Sequence, residues 1–206
     1  SGIDNSSFVP FLSGDSSGAA WNFPIYFPAN QTIVRFAQMN GTTNDIIMNG
    51  MHLFINGLSF APNGMIGVVG AGYNDAAFSS HSLTGLTQCA TANNPLMERV
   101  AHLEFDHTSN GYFIQDENFS TGGFVRLLRR VNSTCQIIDE IPFPQTVNWI
   151  APYSSPYASD LSSDEKLFTF LAKGNLLVMI HIPSKTSKVV SLPFFSWTTD
   201  TGLLSS

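Results

Sequence analysis

Short apolar runs, interrupted roughly every ten residues by Asn, Gly, Pro or Ser, constrain this chain more than any other feature. Segments such as "TIVRFAQM", "GMIGVVGAG", "RVAHLEFD", "KLFTFLA" and "NLLVMIHI" are rich in Val, Ile, Phe and Thr and too short for ordinary helices. Between them lie Asn49-Gly50, Asn56-Gly57, Asn63-Gly64 and Asn110-Gly111, pairs that suit tight turns needing positive φ. "VAHLEFDHTSNGYFIQ" predicts one hairpin, and Lys173-Gly174-Asn175 predicts another between "KLFTFLA" and "NLLVMIHI".

Helix signals are weak. Ser162 and Glu165 have capping-box spacing, but the Phe and Thr residues that follow predict one turn handing over to a strand. A second short helical turn is expected at "NDAAFSSHSL". The expected class is therefore all-β: an antiparallel β-barrel or sandwich with many short strands, long loops and at most one or two short helical turns. No fixed-period repeat is visible, which argues against propellers and solenoids. With 206 residues, a single β-rich domain over 1–206 is expected, excised from a longer polypeptide.

Charge narrows the function. Only 12% of residues are charged against 43% hydrophobic, and the net charge is -6 with nine Lys plus Arg. No basic stripe follows a phosphate backbone, so no nucleic acid is expected as a partner. No apolar run is long enough to predict membrane insertion. The one cationic cluster, Arg126, Arg129 and Arg130, reads as side chains on one strand end. Cys89 and Cys135 are too few for a disulfide scaffold or a Cys-based zinc site; free thiols are the expected state, with pairing left open.

Several stretches imitate catalytic motifs. "SGDSSG" resembles the Gly-Asp-Ser of chymotrypsin-like proteases, where His precedes Asp and Ser comes last. Here Ser16 precedes every histidine, and Ser17 stands where that motif has Gly. The SGNH esterases place Gly-Asp-Ser early but need an Asp three residues before a late His, and no histidine in this chain has one. Gly14, Asp15 and Ser16 read as a turn. "GMIGVVGAGYND" imitates a dinucleotide-binding turn, yet Asp75 falls where the third glycine belongs and its carboxylate would repel a pyrophosphate.

His102, Glu104 and Asp106 alternate, so a regular strand would project all three from one face with Val100, and His107 nearby would complete a metal set. The same alternation describes any strand with one wet face, and that reading is preferred; no metal or cofactor is expected. Asp139-Glu140 and Asp164-Glu165 are sequence neighbours that point apart or sit in turns, and make poor acid/base couples. Asn-x-Ser/Thr sequons stand at Asn5, Asn30, Asn40, Asn118 and Asn132, and bear on function only in the secretory pathway. The stretch "WIAPYSSPYASDL" cannot be a central strand; as a rigid aromatic loop it makes Trp149, Tyr153, Tyr157 and Asp160 the candidate receptor-binding residues.

Low charge, abundant Asn, Ser, Thr and Phe, and short strands give a profile that resembles the spike or protruding domains of capsids from small non-enveloped RNA viruses, most like an avian-type astrovirus spike. "SSFVPFLSGDSSGAAW" and "LEFDHTSNGYFIQ" look like segments of calicivirus protruding domains. The resemblance implies a non-enzymatic homodimer on the virion surface, attachment to a host receptor protein or glycan, and exposure to antibodies. Two other readings stand beside it: a secreted or surface serine hydrolase using Ser16, and a cellular carbohydrate-binding β-sandwich.

Overall fold

The structure, a computed structural model, describes residues 11–12, 18–25, 31–49, 54–71, 77–84, 86–91, 97–118, 124–144, 159–172 and 175–193. Its strands are β1 (Phe11–Leu12), β2 (Gly18–Ile25), β3 (Gln31–Gln38), β4 (Thr43–Asn49), β5 (Phe54–Phe60), β6 (Ile66–Ala71), β7 (Phe78–His81) and β8 (Thr87–Ala90). They continue as β9 (Met97–Phe105), β10 (Gly111–Asn118), β11 (Phe124–Val131), β12 (Ile137–Phe143), β13 (Ser159–Leu161), β14 (Leu167–Ala172), β15 (Leu176–His181) and β16 (Thr186–Ser191). The all-β, antiparallel expectation holds, and no helix occurs among the described residues.

Pairing divides the strands into four successive meanders, β1-β2-β3-β4, β5-β6-β7-β8, β9-β10-β11-β12 and β13-β14-β15-β16. Every pairing is antiparallel and links sequence neighbours. The first strands also approach one another across sheets, β1 to β5, β5 to β9 and β9 to β13. Four-stranded meanders that meet through their first strands are arranged as the blades of a β-propeller. This corrects the argument against propellers. The first strands begin at Phe11, Phe54, Met97 and Ser159, so three are evenly spaced and the long connection 144–158 displaces the fourth. The repeat lies in spacing and turn chemistry rather than in a recurrent word.

Among the described residues, the two junctions of the third sheet with its neighbours each have a core. Between the second and third sheets, Val69, Ala77 and Phe78 pack on Val100, Leu103, Phe113 and Val131, with Phe78 and Phe113 stacked at 6.0 Å. Between the third and fourth, Tyr112, Ile114, Leu128, Ile141 and Phe143 meet Phe168, Phe170, Ala172, Val178 and Ile180. Burying a Phe, Leu or Ile side chain contributes about 1.5–3 kcal/mol, so these faces hold the stack together. Close approach sets one glycine requirement: a Cβ on Gly67 would lie 2.4 Å from Cζ of Phe105, a residue of the neighbouring first strand.

Turns carry the local specification. At 61–64, 106–109, 132–135, 162–165 and 182–185 the N–H of the fourth residue donates to the carbonyl of the first, and that fourth residue has positive φ. Only Gly64 among these is glycine; the others are Ser109, Cys135, Glu165 and Lys185. The left-handed position costs such residues about 1 kcal/mol or more each, offset by side-chain bonds within the turn. Thus Asp106 Oδ1 accepts from Thr108 N, Thr108 Oγ1 and Asn110 N at 3.0, 2.7 and 2.8 Å.

The Asn-Gly readings divide. Asn63-Gly64 forms its turn, whereas Asn56 lies at a register shift inside β5, and before Gly111 the positive φ falls on Ser109. The helical turn expected around "AFSSH" is the strand β7, because pairing with β6 and β8 outweighs local preference. Ser162 to Glu165 form a turn leading into β14, as expected. The two predicted hairpins are β9–β10 and β14–β15.

Candidate functional site

The junction of the third and fourth sheets brings together polar side chains from both sheets, Glu104 with Ser159 and His107 with Glu165. On β9, the regular alternation that would align His102, Glu104 and Asp106 is broken. Leu103 pairs with Phe113 and Ala101 with Ile114, which leaves His102 as a bulge residue at φ 59°. The buried His102 ring lies 5.3 Å from that of Phe170. Glu104, two residues on, accepts a 2.7 Å hydrogen bond from Ser159 Oγ on β13, next to the exposed Asp160. Asp106 leaves the strand and opens the turn.

Burial pushes the Glu104 carboxyl up to about 7, the Ser159 hydrogen bond pulls it back only in part, and the Asp160 charge adds to the rise. Glu104 therefore changes charge near neutral pH while standing on one of the first strands, which meet across the sheets. Asp106 behaves oppositely. Burial alone would raise it, but bonds from Asn110, Thr108 and Arg130 prevail and hold it at about 2. Burial pushes the Tyr112 phenol up to about 12, despite Arg130 lying 5.3 Å over its ring.

The arginine cluster is absorbed by structure. Arg126 bonds to Asp116 at 3.2 Å with both side chains buried, Arg129 bonds to Glu140 at 2.7 Å and Gln115 at 2.5 Å, and Arg130 reaches Asp106 at 2.8 Å. Asp139 and Glu140 point apart as expected, the first to Lys185 and the second to Arg129. His107 does not join His102 and Glu104; its N–H and Nδ1 meet Glu165 Oε1 at 2.6 and 2.7 Å. No group of three or more His, Cys, Asp or Glu side chains comes together to hold a metal among the described residues.

In the second sheet, Ser79 Oγ and His81 Nε2 lie 2.7 Å apart, with Thr87 Oγ1 3.3 Å from Nδ1. Both side chains are buried, and burial lowers His81 to about 4. A threonine stands where a nucleophilic triad has its carboxylate, so this pair stabilises neutral imidazole instead. Alternation in "SSH" is the sequence signal for it. Nothing in the sequence marks Ser159 as the partner of Glu104, since the two are brought together only by sheet stacking.

Cys89 and Cys135 form a disulfide, which corrects the free-thiol expectation. Their Cα atoms are 5.7 Å apart because β8 and the turn after β11 lie side by side at the second junction. Of the loop residues expected to bind a receptor, only Asp160 is described; Trp149, Tyr153 and Tyr157 lie outside the described residues, as do Gly14, Asp15 and Ser16.

No family model matches the chain, and no curated protein matches it. Solved structures do. An oligogalacturonate lyase in complex with manganese superposes with a TM-score of 0.62 at 10% identity, over 91% of this chain and 54% of that one. The WD40 domain of Toxoplasma gondii coronin gives 0.53 at 10% identity, over 88% and 44%. A catalytically inactive virginiamycin B lyase from Staphylococcus aureus with quinupristin gives 0.51 at 12% identity, over 93% and 73%. The chain thus spans about half the length of the first two structures. These likenesses establish the class, a run of β-propeller blades, and nothing finer at such identity. They also correct the functional reading as a viral attachment spike: the similar structures are propeller-like enzymes and a WD40 domain, not capsid domains.

Proposed function

We propose that this chain is a four-blade section of a secreted or cell-surface β-propeller and works as a recognition scaffold rather than an enzyme. The observation that carries the reading is the Glu104, Ser159 and Asp160 group on first strands of adjacent blades, where the carboxyl of Glu104 titrates at about 7. Loops and strand ends of a rigid propeller present such groups to a partner without needing to move. The disulfide supports an oxidising compartment. An acidic pair in a chain of net charge -6 favours a partner that brings a cationic group, which would lower the Glu104 pKa on binding.

A second reading is favoured by one observation, the presence of two lyases among the similar structures. A carboxyl that titrates near neutrality suits proton transfer in an elimination. One experiment separates the two. A photo-crosslinker replacing Asp160 in the whole protein, displayed on its own cells, should capture one partner, and Glu104→Gln should weaken that capture about tenfold. Absence of capture overturns the scaffold reading. So does formation of unsaturated products from uronic-acid oligosaccharides with manganese present, if Glu104→Gln abolishes it.

A further inference from the structure

In each sheet the turn between the third and fourth strands is the outermost hairpin, and in three of the four an Asn or Ser side chain is bonded to the Thr two residues on. Asn40 Oδ1 accepts from Thr42 N and Thr42 Oγ1 at 3.0 and 2.7 Å. Asn132 Oδ1 accepts from Thr134 N and Thr134 Oγ1 at 3.0 and 2.8 Å, and from Gln136 N at 2.9 Å. In the second sheet Ser82 stands at that position, 2.8 Å from Thr84 Oγ1. Turn geometry therefore explains an Asn, Asp or Ser at the first position and a Thr at the third. It does not require the amide nitrogen of Asn, since Asp106 closes its own turn through the same kind of oxygen contact.

Two of these turns, Asn40-Gly41-Thr42 and Asn132-Ser133-Thr134, are also sequons. They differ in access. Asn132 is half-buried, its Nδ2 faces Gln136 Oε1 at 3.4 Å, and it stands beside the disulfide-bonded Cys135. Asn40 is exposed together with Met39, Gly41, Thr42 and Thr43, on a hairpin at the opposite side of its sheet from the first strand. A large hydrophilic substituent on Asn40 would project from the rim and leave the blade junctions and the Glu104 group uncovered.

We propose that Asn40 carries an N-linked oligosaccharide. Nδ2 of Asn40 forms a bond to C1 of the first sugar of a lipid-diphosphate-linked oligosaccharide. The C1–O bond to the diphosphate breaks, the lipid diphosphate leaves with the electron pair, and Nδ2 gives up one proton. Thr42 takes part in the acceptor sequence through its hydroxyl, which the folded turn holds on the Asn40 side chain. The proposal rests on the secreted reading above, through the compartment that the Cys89–Cys135 bond implies.

The test is secretion of the full chain from eukaryotic cells, followed by peptide mass spectrometry with and without an amidase that releases N-glycans and converts the acceptor Asn to Asp. The expected result is a sugar-bearing Asn40 peptide, and an amidase-sensitive electrophoretic shift that is one step smaller in Asn40→Asp than in the parent. Asn40→Asp keeps the turn oxygen and should remove the glycan while secretion persists; Thr42→Ala should remove it too. Ser82→Asn creates Asn-Leu-Thr at the equivalent turn and should add a step. An unmodified Asn40 in the secreted chain overturns the proposal, whatever the state of the thiols. Free Cys89 and Cys135 overturn the secreted-scaffold reading, whatever Asn40 carries.

Discussion

The two junctions that flank the third sheet hold their neighbours by different means. The junction with the second sheet is an apolar stack around Phe78 and Phe113, fastened by the Cys89–Cys135 bond and by Asn63 N donating to Ser109 Oγ at 3.1 Å. The junction with the fourth sheet has an apolar core around Phe168 and Phe170 but is edged by ionisable contacts: Glu104 with Ser159, His107 with Glu165 and Asp139 with Lys185. The first is sensitive to redox state through Cys89–Cys135, and the second to pH through Glu104. A chain built of like units can thus give each interface a separate response, because stacked sheets require only an apolar face and leave the edges free to differ.

The comparison breaks most visibly if an aromatic is removed. Phe170→Ala leaves a cavity at the third-fourth junction and should cost about 3–5 kcal/mol. Hydrogen exchange should then show protection lost across 176–180 before 66–69; simultaneous loss would mean that the junctions do not act separately. Next in size is the covalent fastening. Replacing both cysteines with Ala should cost about 2–4 kcal/mol, since the bond closes a separation of 46 residues. Added reductant should lower the melting temperature of the parent and leave the double variant unchanged.

The pH responses oppose one another. His81 has a folded value of about 4, below its ordinary 6.5, so the stability it contributes is present above 6.5 and lost as pH falls through 4. Glu104 has a folded value of about 7, above its ordinary 4.5, so its contribution is present below 4.5 and lost as pH rises through 7. Each is worth on the order of 2–3 kcal/mol, the Glu104 figure being reduced by solvent screening. Between 4.5 and 6.5 the two largely cancel. Urea titrations across that window should show little slope in the parent, stability rising with pH in Glu104→Gln, and stability falling with pH in His81→Gln.

The smallest expected effect is at Lys185, whose φ of 53° is unfavourable for a side chain and whose partner Asp139 lies at the surface edge. Lys185→Gly relieves about 1 kcal/mol of backbone strain and forfeits a weak ion pair, for a net gain of about 0.5 kcal/mol. A melting temperature that falls instead would show the ion pair at this junction to be stronger than its exposure implies.

Much of the architecture was legible. The strands at "VAHLEFD" and "GYFIQ" and the hairpin between them appear as read, as does the turn from Ser162 to Glu165. Fates of particular polar residues were less so. His102 drops out of the alternation through a bulge, and no residue preference announces which member of a strand will be left unmatched. Propeller architecture is hidden because the even spacing of first strands is interrupted between β12 and β13 and the turns use Ala, Asp, Asn, Ser and Ile interchangeably at their first position.

By itself the sequence determined most of the local conformations, the strand runs, the 162–165 turn and the absence of helical periodicity, through contacts between near neighbours, whereas β7 was decided by its pairing with β6 and β8. Tertiary structure decided which sheets stack, and with that the pairing of Cys89 with Cys135, the meeting of Glu104 with Ser159 and the raised pKa of the carboxyl. Those partners are 46 and 55 residues apart in the chain. Their proximity follows from apolar faces seeking burial, a force without direction that records no partner in the sequence around either residue.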